Sequence, residues 1–294
     1  MHLVVRLGHP KMNTSVAQPQ RVDLALLQRM KAEGRKIAML TAYDYPTAAL
    51  AQAAGVHSLL IGDSMGTVLL GLPSTRFVPL SLMLTLGEAV RRGAPLVYLV
   101  GDLPYEALAG SADNTLAAAK RFRDEAGCDA VKLEAGPGDE QRVRAIAQAG
   151  IEAIVHLGLR PQQITSPEGY RAQARDVDSL ADLVASARRM VDLGAAMLLL
   201  EAVPNEASQA VVAAVSVPVI GCGAGPACDG HVLVTQDMLG LGTIRVPRFV
   251  PVLAQVGKIC AEAMRRYVQD IVSGAYPGPE HVYPMRRPGQ DRPQ

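Results

Sequence analysis

The chain predicts a single α/β domain, a (β/α)8 TIM barrel with an additional C-terminal helix, and three observations carry that expectation. Short, almost uninterrupted apolar runs recur along the sequence, longer segments between them place Ala, Leu and Val at helical spacing, and polar residues gather where the apolar runs stop. Strands apolar on both faces fit a parallel sheet covered on each side, and the amphipathic segments fit its crossover connections. A length of 294 residues suits one such barrel.

Seven strands are legible in order: KIAMLT (36–41), HSLLIG (57–62), LVYLVG (96–101), AVKLE (130–134), EAIVHLG (152–158), AMLLLE (196–201) and VPVIGCG (217–223). A weaker eighth around HVLVTQDML (231–239) favours closure over an open, doubly wound sheet. Between them, SADNTLAAAKRFRDEAG (111–127) and DVDSLADLVASARRMVDLG (176–194) read as crossover helices ending in a glycine cap. RRG at 91–93 ends another helix with charges that suit its C-terminal dipole. The stretch GCGAGPACDG (221–230) lacks dinucleotide-binding glycine spacing and a P-loop lysine, so it reads as the turn after the seventh strand, beside a substrate site. SGAYPGPEHVYP (273–284) follows the C-terminal helix as a loop. Residues 1–20 and 285–294, polar and without periodicity, are expected to be flexible ends around a catalytic domain spanning 21–284.

Composition narrows the function. With 49% hydrophobic and 19% charged residues the chain has material for a large core. A net charge of +1, with both signs spread along the chain, leaves no patch for gripping nucleic acid or an anionic membrane. Aromatics at 4% and no tryptophan leave little for stacking on bases, which points to a small ligand. The opening apolar stretch is too short for a signal-peptide core, and no later stretch reaches spanning length. Cys128, Cys222, Cys228 and Cys260 lack the paired spacing of a zinc site and are expected as reduced thiols in a cytoplasmic protein.

The strand ends carry the chemistry. Thr41 and Asp44 follow the first strand, Asp63 and Ser64 the second, Asp102 the third, Lys132 and Glu134 the fourth, His156 the fifth and Glu201 the sixth. In a closed parallel barrel these positions share one rim, where such folds assemble active sites. Asp44 reads first as a helix cap. Asp63 and Asp102 on one rim repel unless a cation or proton lies between them. Glu134 shares a strand face with Lys132, so the two are either a structural ion pair or part of the site. Three carboxylates and no thiolate suit Mg²⁺, which would let an α-keto acid chelate through its keto and carboxylate oxygens and acidify the adjacent C–H bond. Glu201 follows AMLLL, an apolar setting in which a carboxylate is a credible base. His156, isolated in IVHLG, reads more readily as a satisfied rim or core residue.

The ordered motifs LTAYDYPTA (40–48), LIGDSMG (60–66), RRGAP…GDLPY (91–105), VKLE (131–134), HLGLRPQ (156–162), LLLEAVP (198–204), VPVIGCGAG (217–225) and SGAYPGPEH (273–281) resemble the ketopantoate hydroxymethyltransferase family from about residue 22 to 284. The resemblance implies a barrel of the phosphoenolpyruvate mutase and isocitrate lyase group in a homo-oligomer, often a decamer. It implies transfer of a one-carbon unit from 5,10-methylenetetrahydrofolate to 3-methyl-2-oxobutanoate, giving 2-dehydropantoate for pantothenate and coenzyme A synthesis. By motif, Asp63 and Asp102 correspond to magnesium ligands, Glu134 to a third metal-associated carboxylate, Asp63, Ser64, Asp102 and Lys132 to keto-acid-binding residues, and Glu201 to the proton acceptor. The chain departs from the common family pattern at Thr85 and Leu86, at Thr235–Asp237, and at Glu168 and Ala174 of EGYRAQAR. Two other readings of the residues stand beside this one: a Mg²⁺-dependent lyase or aldolase of another α-keto acid that needs no folate, and a non-catalytic metabolite-binding barrel.

Overall fold

The structure is a computed structural model, and it describes residues 20–166, 169–242 and 246–285. The segments expected to be flexible, apart from Gln20 and Met285, lie outside the described residues, as does Glu168. Eight parallel strands, β1 (Ile37–Thr41), β2 (Ser58–Ile61), β3 (Tyr98–Asp102), β4 (Ala130–Glu134), β5 (Glu152–Gly158), β6 (Ala195–Glu201), β7 (Val219–Cys222) and β8 (Gly230–Leu233), close in sequence order, with β8 pairing back onto β1. The expected (β/α)8 barrel is therefore the observed fold.

Alternation along each strand sorts the side chains into two cores. Inward-facing Met39, Leu60, Val100, Ile154, Leu199 and Ile220 fill the barrel. Leu27 and Met30 of α1 (Leu24–Ala32) join that cluster and plug the end at which the strands begin. Outward-facing Leu59, Ile61, Leu99, Val131, Val155 and Leu198 meet the surrounding helices in a larger shell.

The helices on that shell are α2 (Tyr45–Ala53), α3 (Met65–Val68), α4 (Leu80–Gly93), α5 (Tyr105–Leu108), α6 (Ala112–Asp124), α7 (Glu140–Gln148), α8 (Val177–Asp192) and α9 (Asn205–Ala214). Their starts are chemically specified. Asp44 accepts from Thr47 N at 2.7 Å, so the cap reading of Asp44 holds, and Asp176 caps α8 in a reciprocal box with Ser179. Each such cap is worth about 1 kcal/mol. At the bend after α4, Arg91 reaches the carbonyls of Val97 and Gly127 and the carboxylate of Asp129, so it ties α4 to the strand starts as well as ending a helix.

As the sequence predicts, GCGAGPACDG is a turn: the short Gly- and Pro-rich stretch after β7 leads back at once into β8 with no helix between them. One expectation needs correction at the end of the chain, since the eighth strand stops at Leu233, earlier than the apolar run predicts. Thr235 donates from its hydroxyl to Thr41 O at 2.5 Å and from its amide to Thr41 Oγ1 at 3.1 Å, pulling the chain off the ladder into α10 (Thr235–Met238). The additional C-terminal helix is α11 (Val256–Ser273), closed by Gly274 in the left-handed region at φ 72°. None of its residues is buried, although Ile259, Met264, Val268 and Val272 lie along it. Among the described residues no helix is long and apolar enough to cross a membrane, and all four cysteines are free thiols.

Candidate active site

Strand parity sends the polar residues inward. Asp102 continues the face of Val100, Lys132 and Glu134 that of Ala130, His156 that of Ile154, and Glu201 that of Leu199. Register then makes neighbours of them: Asp102 pairs with Lys132, Glu134 with His156, and Glu201 with Cys222. They open on a cavity of about 150 Å³ at the ends of the strands, together with Asp63 and Ser64. All six residues predicted for the site thus meet in one pocket.

Asp63 and Asp102 share this end of the barrel, the Asp63 amide donating to Asp102 Oδ2 at 3.1 Å. Lys132 Nζ stands 2.7 Å from Asp102 Oδ1, both side chains almost wholly buried. The ion pair considered for Lys132 and Glu134 is therefore made with Asp102 instead, because Asp102 lies directly across the β3–β4 ladder. Glu134 is held from a different side: its Oε1 accepts from Gln162 N at 3.0 Å, while Oε2 has no partner among the described residues. The Gln162 side chain donates to Asp63 Oδ2 at 3.0 Å and to Leu103 O at 3.1 Å. One fully buried glutamine thus fastens two of the carboxylates.

Burial dominates the electrostatics. It pushes the Asp102 carboxyl up to about 7 against the pull of Lys132, and the Glu134 carboxyl up to about 8 against Lys132 and the Gln162 amide. Burial also works against the Lys132 ammonium, but Asp102, Asp63 and Glu134 together overcome it and hold that group above its ordinary value. Charges this costly to bury persist only with partners.

His156, which the sequence left as an isolated rim residue, is the largest surprise. It is 2% exposed and spans Lys132 Nζ, 3.4 Å from its Nδ1, and Glu201 Oε2, 3.2 Å from its Nε2. Burial first and Lys132 second keep the ring below its ordinary pKa, hence neutral. An ammonium only donates, so Nδ1 accepts and the ring proton sits on Nε2, the nitrogen that stands beside Glu201. Glu201 is fixed from its backbone as well: its carbonyl accepts from Leu159 N at 2.9 Å. Gly158, at φ 89°, has room for no side chain there, since a Cβ would stand 2.5 Å from Glu201 O. The following Ala202 holds φ 48°, a conformation costing an L-residue roughly 1–2 kcal/mol. Such strain gathers where a fold fixes a functional side chain.

Ser64 is oriented by Tyr43, whose buried phenol oxygen lies 2.8 Å from Ser64 Oγ. Gln162 and Tyr43 were not singled out from the sequence, though both lie inside the quoted motifs HLGLRPQ and LTAYDYPTA. A motif string marks a position without saying which hydrogen bond it makes.

Among the described residues no three His, Cys, Asp or Glu side chains are drawn together tightly enough to form a ready-made metal cage. The donor chemistry nevertheless fits a hard divalent cation. Three carboxylates, Asp63, Asp102 and Glu134, face one ammonium, Lys132, which leaves two formal negative charges. The bare Oε2 of Glu134 adds a buried acceptor with nothing to accept from. Oxygen-only sites of this kind take Mg²⁺, which keeps positions open for substrate oxygens.

The departures from the family pattern fall in different places. Thr85 bonds to Ser81 O on the exposed side of α4, and Leu86 packs partly buried against the helical shell, so neither lines the pocket. Ala174 adopts φ 51°, where a glycine is unstrained and an alanine is not. Asp237 lines the pocket.

Comparison with known proteins agrees with this geometry. The family model described as Ketopantoate hydroxymethyltransferase matches residues 21–279. A 3-methyl-2-oxobutanoate hydroxymethyltransferase of Thermus thermophilus is 44% identical over 252 residues, covering 86% of this chain and 96% of its own. That of Bacillus subtilis is 41% identical over 259 residues, covering 88% and 94%. Among solved structures, 2,3-dimethylmalate lyase, a PEP mutase/isocitrate lyase superfamily member, superposes with a TM-score of 0.57 at 18% identity over 89% of this chain and 92% of its own. Phosphoenolpyruvate phosphomutase of Streptomyces platensis subsp. rosaceus gives 0.59 at 14% identity, covering 89% and 92%.

Proposed function

Because the chain belongs to the ketopantoate hydroxymethyltransferase family, we propose that its barrel mouth performs the family's one-carbon transfer with Glu201 as the base at C3 of the keto acid. The chain is an enzyme, and its activity is 3-methyl-2-oxobutanoate hydroxymethyl transfer, a step of pantothenate synthesis. Family membership sets aside the folate-independent lyase and the non-catalytic barrel. The one-carbon donor is 5,10-methylenetetrahydrofolate.

The observation that carries the proposed mechanism is the junction of Glu201, His156, Lys132 and Asp102 in one pocket. Held by Asp63 and Asp102 with Glu134 beside them, Mg²⁺ would polarise the keto oxygen and acidify the C3–H bond. Ser64, steadied by Tyr43, and the Lys132 ammonium bind the keto acid, and Lys132 opposes the negative charge that grows on its oxygen. Glu201 takes the C3 proton, and His156 Nε2–H keeps the accepting carboxylate turned toward it. The C3 carbanion equivalent forms a bond to the donor's methylene carbon as the first of that carbon's two carbon–nitrogen bonds breaks, the freed nitrogen taking up the proton that left C3. Water then supplies the hydroxyl oxygen as the second carbon–nitrogen bond breaks, and tetrahydrofolate leaves with the proton that water gives up.

We infer further that the chain works as a homo-oligomer, the decamer being what the resemblance implies. Two features support this. Among the described residues, the apolar side chains of α11 find no cover, and the outer side of β7 and β8, with Gly221, His231 and Leu233, opens on a cleft that no described helix fills. A second copy supplies to each what the other lacks.

The decisive test follows deuterium exchange at C3 of 3-methyl-2-oxobutanoate in the presence of Mg²⁺. Native protein is expected to exchange and Glu201→Gln to lose it by at least about 10²-fold. Equal exchange in both removes Glu201 as the base.

A further inference from the structure

The pocket has two unlike halves. β2 to β6 supply the charged groups already described, whereas the ends of β7 and β8 and the segment 247–250 supply Cys222, Val232, Val234, Phe249 and Val250. Into this apolar half projects one carboxylate, Asp237 of α10. It is 8% exposed, and its side chain makes no hydrogen bond or ion pair among the described residues. Burial alone raises its pKa. In the charged half, Asp63 is engaged by Gln162, Asp102 by Lys132, and Glu201 stands beside His156, while the free Oε2 of Glu134 faces the carboxylates of the proposed metal site.

The keto acid has no use for Asp237, because an anion gains nothing from a bare carboxylate in an apolar wall. The second substrate does. The 2-amino-4-oxopteridine ring of a tetrahydrofolate is flat, and along one edge it carries the N3–H and the 2-amino group side by side. A carboxylate is the side chain that accepts two parallel hydrogens of this kind. β6 is the seam of the pocket: Glu201 pairs with Cys222, the first residue of the apolar half. A donor lying against that half presents its methylene group toward the carbon from which Glu201 takes the proton.

Resting on the hydroxymethyl-transfer reading, we propose that Asp237 is the residue that recognises the pteridine edge of the folate co-substrate, with Phe249 and Val250 against the face of the ring. The proposal assigns the apolar half of the pocket to folate and the charged half to keto acid and metal.

The test titrates native protein and Asp237→Asn with tetrahydrofolate by calorimetry, using a 2-desamino tetrahydrofolate as the second probe and Mg²⁺-dependent C3 exchange, which needs no folate, as the control on folding. The expected result is a loss of tetrahydrofolate affinity of about 10- to 100-fold in the variant, with exchange retained and with a smaller loss for the desamino probe, which keeps only the N3–H of that edge. Equal tetrahydrofolate affinity in the two proteins overturns the proposal. So does loss of exchange together with folate binding, in Asp237→Asn and Asp237→Ser alike, since that marks a structural role. Native protein that exchanges C3 and binds folate but transfers no carbon overturns the hydroxymethyl-transfer reading instead, so the two failures are distinguishable.

Discussion

His156 Nε2 stands 3.2 Å from Glu201 Oε2, while its Nδ1 lies 3.4 Å from the Lys132 ammonium. The ring is therefore a wedge between the group that takes the proton and the group that steadies the resulting charge. Its removal frees Glu201 to rotate. His156→Ala is expected to slow C3 exchange by about 10²-fold through misplacement of the base, with keto-acid affinity changed much less. Exchange kinetics at saturating substrate measure this, and an unchanged rate would leave the wedge without a role.

Lys132 and Asp102 test the cost of a broken buried pair. Lys132→Met strands the Asp102 carboxylate, and such losses cost about 3–5 kcal/mol. The double variant Lys132→Met/Asp102→Leu should melt higher than Lys132→Met alone while remaining inactive, because the stranded charge is gone but the catalytic groups are too. Thermal melts of both variants check this; additive destabilisation would show that the pair is not coupled.

Gln162 donates to both Asp63 and Glu134, the two carboxylates not engaged by Lys132. Gln162→Leu keeps the backbone donor to Glu134 and removes the side-chain donor to Asp63. Groups that orient metal-binding side chains typically carry about 10–100-fold in metal affinity. Calorimetric Mg²⁺ titration should show a loss in that range, and native affinity in the variant would contradict the fastening role.

The raised carboxyls make a pH prediction. Asp102, at about 7, and Glu134, at about 8, hold protons in the folded chain that the unfolded chain releases at ordinary carboxylate pH. Stability without metal therefore falls as pH rises from about 4 to 8, by up to about 1.4 kcal/mol per pH unit for each group, and levels off above that window. A divalent cation replaces those protons. Mg²⁺ should consequently raise the melting temperature more at about pH 8.5 than at about pH 6; an equal rise at both would separate the cation from these carboxylates.

α11 presents Met264 and Val268 to solvent in a single chain. If a second copy covers them, Val268→Asp buries a charge at that contact, and sedimentation velocity should show a smaller species. An unchanged sedimentation coefficient would place the contact elsewhere.

The barrel was legible in the sequence because a parallel strand covered on both faces leaves a continuous apolar run, and because each such run ends at the rim where polar residues begin. That logic located Asp63, Ser64, Asp102, Lys132, Glu134 and Glu201 by position along the chain, and the motif resemblance supplied their expected roles. It found the eighth strand but overran its end, where two hydrogen bonds from Thr235 to Thr41, residues nearly two hundred positions apart, stop a run that local apolarity would have continued.

Partners, unlike positions, were decided only by the closed sheet. The β3–β4 register gives Lys132 to Asp102 and not to Glu134, and the β4–β5 and β5–β6 ladders turn a solitary histidine into the link between Lys132 and Glu201. Gln162 gained its function from a loop that folds over the rim, and Asp237 from a pocket wall assembled by strands and loops distant in the chain. Periodicity is a one-dimensional property and survives in the sequence; hydrogen bonds and shared burial depend on distances through space, which exist only once the eighth strand has met the first.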